Sequence, residues 1–246
     1  ARWHDAVRTA LDCQIAVIDD LADRCLAADL VIDHNLHADH RAKYASRLQC
    51  PARILGGPRF ALLGSAFART PPYAFAPEVR SIGIFMGGSD ASNFSELAFE
   101  AVCVSGFDGT IEVVSTSANP HLERLRDRIE RCENASLLLD LPDLAEFFAR
   151  HDLQIGAGGG ATWERCCMGV PSMLLVVAQN QREVAPRLAA DGIAALVEHA
   201  NGPAISAELD ALIADRDKRR QLAERSRALV DGRGAMRVAE EMQCHG

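Results

Sequence analysis

No run of lysine or arginine forms a stripe along any stretch of this chain. Acidic side chains outnumber basic ones, 34 to 26, for a formal charge of −8, which speaks against nucleic-acid binding through a broad basic face. An anionic ligand would have to be drawn by local backbone N–H groups against the global field. No CxxC pair occurs among the eight cysteines, of which only Cys166 and Cys167 are adjacent. Neither a zinc site nor a disulfide framework is indicated, and reduced thiols in a cytoplasmic protein fit better. No apolar stretch approaches the roughly 20 residues a spanning helix needs, so no membrane partner is expected. The opening Ala1-Arg2-Trp3-His4-Asp5 is not a signal peptide. It also lacks an initiating Met, so further sequence is expected upstream. Aromatic residues are scarce at 5%, which leaves a mostly aliphatic core. With 48% apolar and 24% charged residues over 246 positions, the chain has the composition of a soluble globular protein of one large or two ordinary domains.

What is present is an alternation of short Val/Ile/Leu-rich runs with amphipathic stretches, which predicts βαβ units. Strands are expected at Ile15–Asp19, Leu30–Asp33, Ala52–Leu55, Ser81–Met86, Thr110–Ser115, Ser136–Leu139, Leu153–Gly156 and Ser172–Val177, with helices in most intervals. Their near-continuous apolarity implies a parallel sheet covered on both faces. In Arg69-Thr70-Pro71-Pro72-Tyr73-Ala74-Phe75-Ala76-Pro77 the prolines lack amide donors and can neither continue a helix nor pair centrally in a sheet. The expected organisation is therefore part of an α/β domain over 1–72, a linker over 73–80, a complete α/β domain over 81–231 and a C-terminal helix over 232–246. The charged segment Asp215–Gln243 predicts one or two surface helices.

Two strand-to-helix turns carry the chemistry. The first, Gly87-Gly88-Ser89-Asp90-Ala91-Ser92-Asn93, leads into a helical pattern at Phe94. In an open parallel sheet ligands bind outside the carboxyl ends of strands, where helix N-termini present unpaired N–H groups and partial positive charge. The same residues also suit a plain capped turn. The second, Gly156-Ala157-Gly158-Gly159-Gly160-Ala161-Thr162-Trp163-Glu164, holds four glycines in five residues, an entropic cost that a bare turn does not require and that passage of a phosphate would explain.

This second run formally matches a Gly-x-Gly-x-x-Ala dinucleotide fingerprint. The next strand, however, ends in Ala178-Gln179-Asn180-Gln181, with no carboxylate to hold a ribose, and the turn comes four strands into its domain. No Gly-x-x-x-x-Gly-Lys-Ser/Thr phosphate loop occurs. Glu164, in the first turn of the following helix, complements the helix dipole or accepts from two ribose hydroxyls. Asn180 and Gln181 with Glu183 read as a capping box or as ligand contacts at a strand end. His34, His37 and His40 with Asp33 and Asp39 resemble metal spacing, but the neighbouring Asn35 favours a solvated turn, and no metal is expected.

Taken in order, Ile18-Asp19-Asp20, Asp33-His34-Asn35, Gly56-Gly57-Pro58-Arg59-Phe60-Ala61-Leu62-Leu63 with Phe67, Met86-Gly87-Gly88-Ser89-Asp90, Gly158–Thr162 with Glu164, and Asn180-Gln181 form a string that resembles the UDP-sugar hydrolases of pseudaminic acid biosynthesis. That family is related to the MurG-type glycosyltransferases of the GT-B fold. The resemblance implies two Rossmann-like parallel-sheet domains, the N-terminal one truncated here. It implies metal-independent, cofactor-free hydrolysis of UDP-2,4-diacetamido-2,4,6-trideoxy-β-L-altropyranose to free sugar and UDP, by water attack at the anomeric carbon. Carried over, Gly87, Gly88, Ser89 and Asp90, with Gly158, Gly159, Gly160 and Thr162, would surround the diphosphate. Glu164 would hold the ribose, and Asn180 and Gln181 would meet sugar or phosphate.

The family's opening Gly-x-Gly-His-x-x-Arg turn, whose His is the proposed base for water, occurs nowhere in this chain. The base is therefore expected upstream of residue 1, and the polypeptide alone is expected to bind UDP weakly and turn over little. A MurG-like glycosyltransferase and a non-catalytic nucleotide-sugar binding module are the alternatives.

Overall fold

The computed structural model describes residues 2–243. The chain divides into two compact units, Ala1–Leu63 with Val230–Gly246, and Gly64–Leu229.

The first unit contains α1 (Arg2–Leu11), β1 (Ala16–Ile18), β2 (Leu30–Asp33), α2 (His40–Tyr44), β3 (Arg53–Gly56) and the chain's last helix, Gly234–Gln243. Its strands form a parallel sheet in the order β1-β2-β3. The buried centre strand β2 alternates its side chains between two clusters. Leu30 and Ile32 pack with Leu55, Phe60 and Val238 of the last helix, while Val31 packs with Ile15, Leu26 and Tyr44. At the carboxyl end of β2 the buried Asp33 carboxylate accepts from Lys43 Nζ at 2.6 Å and Tyr44 OH at 3.2 Å.

In the second unit α3 (Ser65–Arg69) precedes β4 (Ser81–Phe85), α4 (Phe94–Val104), β5 (Thr110–Ser115), α5 (Leu122–Ile129), β6 (Ala135–Leu139), α6 (Ala145–Ala149) and β7 (Leu153–Ala157). There follow α7 (Ala161–Met168), β8 (Ser172–Leu175), α8 (Gln181–Ala190), β9 (Ala195–Val197), α9 (Gly202–Ala214) and α10 (Arg216–Leu229). The six strands are all parallel, in the order β6-β5-β4-β7-β8-β9. The chain builds outward from β4 to β6, returns, and builds from β7 to β9 on the other side. The order therefore reverses between β4 and β7, the topological switch point at which doubly wound sheets open a crevice for ligands. Ile82, Ile84, Ile111, Val113, Leu153, Ile155 and Met173 fill the aliphatic core around these strands.

The division between units falls after Leu63, ahead of the stretch expected to be a linker, and that stretch belongs to the second unit. Its backbone is tied to helices over most of its length and to β5 only at its end, where Arg80 O accepts from Thr110 N at 2.9 Å. Tyr73 N donates to Met168 O at 2.9 Å at the end of α7. The buried Arg219 of α10 donates to Pro77 O and, at 2.6 Å each, to Leu212 O and Ile213 O. Two further differences concern strands. The expected Ser172–Val177 stops at Leu175 because Val177 N is taken by Gln181 Oε1 at 2.9 Å, and the short β9 was not anticipated. Among the described residues no helix is long and apolar enough to cross a membrane, and no group of three or more His, Cys, Asp or Glu is placed to hold a metal.

Candidate functional site

Both glycine-rich turns leave the sheet at its switch point, since β4 and β7 are hydrogen-bonded neighbours with Phe85 opposite Gly156. They differ in what their helix N-termini already hold. The Asp90 carboxylate accepts from Phe94 N and Ser95 N, both at 2.8 Å. It is 9% exposed, at φ +35°, so the start of α4 is closed by a side-chain anion. Gly87, at φ +102°, needs glycine for its backbone. Gly88 and Ser89 are exposed, and Thr116 Oγ1 secures the turn by donating to Gly88 O at 2.5 Å.

The N-terminus of α7 is open instead. Gly160 caps it with no side-chain hydrogen bond. Gly158 N is taken by Leu175 O at 3.3 Å, whereas the amides of Gly159 and Gly160 donate to no protein acceptor among the described residues. Uncapped amides together with the helix dipole are able to receive an anion. Of the two readings of Asn180, Gln181 and Glu183, the capping box is not formed: Asn180 precedes α8 without a side-chain cap and is exposed. Gln181 is buried at 7% exposure. Its Oε1 is engaged by Val177 N, and its Nε2 stands 3.7 Å from where a Cβ on Gly159 would lie, which adds an amide donor beside the turn.

Thr162 points inward, with Oγ1 3.4 Å from Ala157 O. Glu164, one turn into α7, is half-buried and makes no hydrogen bond or ion pair among the described residues. Burial pushes its carboxyl above the ordinary range, opposed by the charge of Arg165 and reinforced by Asp143. Thus Gly158, Gly159, Gly160, Glu164 and Gln181 gather around one helix end. Gly87, Gly88 and Ser89 stand at the adjacent strand end, Asp90 and Thr162 are turned into the fold, and Asn180 lies at the exposed start of α8.

Arg165, which is not among the expected site residues, is 1% exposed. Its Nη2 donates to Ala157 O at 2.7 Å and Thr162 Oγ1 at 3.2 Å, its guanidinium lies 5.8 Å from the Phe148 ring, and burial lowers its pKa to about 10. The signal available in the sequence was the company it keeps, Trp163, Cys166 and Cys167 on a short helix with little polar surface. His34, His37 and His40 belong to the first unit. His37 Nδ1 accepts from Asp39 N at 3.1 Å, and His40 Nε2 lies 3.0 Å from Asn35 O.

No family model matches the chain. The spore coat polysaccharide biosynthesis protein SpsG of Bacillus subtilis (strain 168) is 27% identical over 243 residues, 96% of this chain and 71% of SpsG. MurG of Acinetobacter baumannii superposes with a TM-score of 0.64 at 13% identity, over 97% of this chain and 69% of MurG. MnaA of S. aureus, solved with UDP, gives 0.60 at 16% identity, over 88% and 60% respectively. The fold is therefore α/β and GT-B-like, assembled from Rossmann-like parallel sheets.

Proposed function

We propose that the chain is a nucleotide-sugar enzyme of polysaccharide biosynthesis that holds the diphosphate of a UDP-sugar on the N-terminal turn of α7. The observation that carries this is the open end of α7 at the switch point, with the unpartnered Glu164 carboxylate one turn along it. Phosphate oxygens would accept from the free amides of Gly159 and Gly160 and from Gln181 Nε2. Glu164 would accept from the ribose hydroxyls, and Gly87, Gly88 and Ser89 would border the second phosphate. Asp90 and Thr162 shape the two turns, and Asn180 is available to the sugar end. The likeness in sequence to the polysaccharide biosynthesis protein SpsG supports the biosynthetic role, and the likeness in fold to MnaA, solved with UDP, supports the ligand class.

For the reaction we propose hydrolysis of a UDP-linked diacetamido-trideoxy sugar to free sugar and UDP, as in pseudaminic acid biosynthesis. A water oxygen bonds to the anomeric carbon as the bond to the β-phosphate oxygen breaks. The water proton passes to a base, and the electron pair leaves on UDP. Oriented amides at α7 stabilise the charge that grows on that leaving group. Transfer to an acceptor is the second reading, supported by the likeness to MurG. Calorimetric titration with UDP tests the site, with saturable binding expected. Prolonged incubation at high protein concentration, chosen because this chain is expected to turn over little, with the UDP-sugar alone and with candidate acceptors then separates the reactions, since free sugar without an acceptor supports hydrolysis and product only with an acceptor supports transfer.

A further inference from the structure

An arginine placed wholly inside a protein is expensive unless its donors are matched. Arg165 satisfies Nη2 twice, yet its Nε and Nη1 have no partner among the described residues. A long apolar side chain would fill the same space without that penalty. The surroundings have nevertheless been shaped to admit the guanidinium. A Cβ on Gly156 would stand 2.3 Å from Nη1 and 2.9 Å from Phe85 O, so glycine at 156 lets the cation lie against the β4–β7 pair, directly under the switch point.

We propose that Arg165 is a positioning residue for a nucleoside diphosphate, a fixed cation beneath the glycine turn. Resting on the nucleotide-site reading above, this assigns two actions to one side chain. Its Nη2 holds the Ala157 carbonyl and the Thr162 hydroxyl inward, which leaves the amides of Gly159 and Gly160 facing the ligand. Its charge, in a low-dielectric surrounding, adds to the dipole of α7 and is felt by the phosphates without contact. A nucleoside without phosphate gains nothing from that charge.

The test compares UDP with uridine by NMR titration of the whole chain, for the wild type, Arg165→Met and Arg165→Lys, with thermal unfolding as the check on folding. Arg165→Met is expected to lower the ratio of UDP to uridine affinity about ten-fold or more, the size of a lost charged interaction. Arg165→Lys is expected to recover most of it. A folded Arg165→Met that keeps the wild-type ratio overturns the proposal while leaving the nucleotide site standing. A wild type that binds no UDP removes the site and the proposal together. Should Arg165→Met not fold, the guanidinium resonance of Arg165 in 15N-arginine-labelled wild type, assigned from Arg165→Lys, decides. A shift with UDP and not with uridine supports the proposal, and no shift at UDP saturation overturns it.

Discussion

At the scale of residues, four glycines in one turn have different causes. Gly156 makes room for Arg165, while a Cβ on Gly158 or Gly159 would meet Gln181 at ordinary contact distances of 3.5 Å and 3.7 Å. Gly160 has helical backbone angles, φ −54° and ψ −35°, and nothing within 4 Å of its Cβ position. The fold does not require glycine there, whereas a close ligand does. Gly160→Ala is accordingly expected to stabilise the chain by about 0.4–1 kcal/mol through the unfolded state and to weaken UDP binding about ten-fold. Urea titration and calorimetry on the same samples check both signs.

Glu164 shows the same opposition between stability and binding. Its folded pKa is raised above the ordinary 4.5, so the folded chain holds the proton more tightly than the unfolded one. That contribution is complete below pH 4.5 and is lost as pH rises through the raised value. At neutral pH the ionised carboxylate is a burden that the ribose hydroxyls would relieve. Glu164→Gln is therefore expected to melt no lower than wild type at pH 7, with any gain vanishing below pH 4.5, and to bind UDP less tightly. A lower melting temperature at pH 7 would contradict the isolated carboxylate.

At the scale of elements, the two helix N-termini divide their duties by what caps them. Asp90→Ala removes both acceptors at the start of α4 and is expected to cost about 1–2 kcal/mol, read as a lower urea midpoint. UDP affinity should change less than three-fold, because the proposed site puts the phosphates on α7; a large affinity loss would move the site to α4.

These elements were largely legible. β2 and β5 begin and end where their apolar runs do, and α4 begins at Phe94, straight after the turn. β9, three residues in an alanine-rich stretch, carries too little pattern to separate from the helix before it. Strand order was not legible at all, because a list of strands does not say that β4 lies beside β7, and that adjacency brings the two turns together. Arg165 escaped for a related reason: its single charge in a helix reads as solvent-facing until the packing of α7 against the sheet is known.

At the scale of the whole molecule, the proposed ligand is an anion of the same sign as a chain of net charge −8. On that proposal the attraction would come from the α7 amides and Arg165, acting over a few ångströms, and the repulsion from carboxylates spread over the surface. Salt separates these ranges, since the screening length falls from about 30 Å at 0.01 M to about 10 Å at 0.1 M. Distant carboxylates are silenced first, and groups at contact distance in a partly buried site are screened much less. UDP association, followed by stopped flow, is therefore expected to quicken as salt rises from about 0.01 to 0.1 M, with the dissociation rate changing less. An association rate that falls steeply with salt would require a long-range positive funnel around the site, which a surface poorer in basic than in acidic residues does not provide.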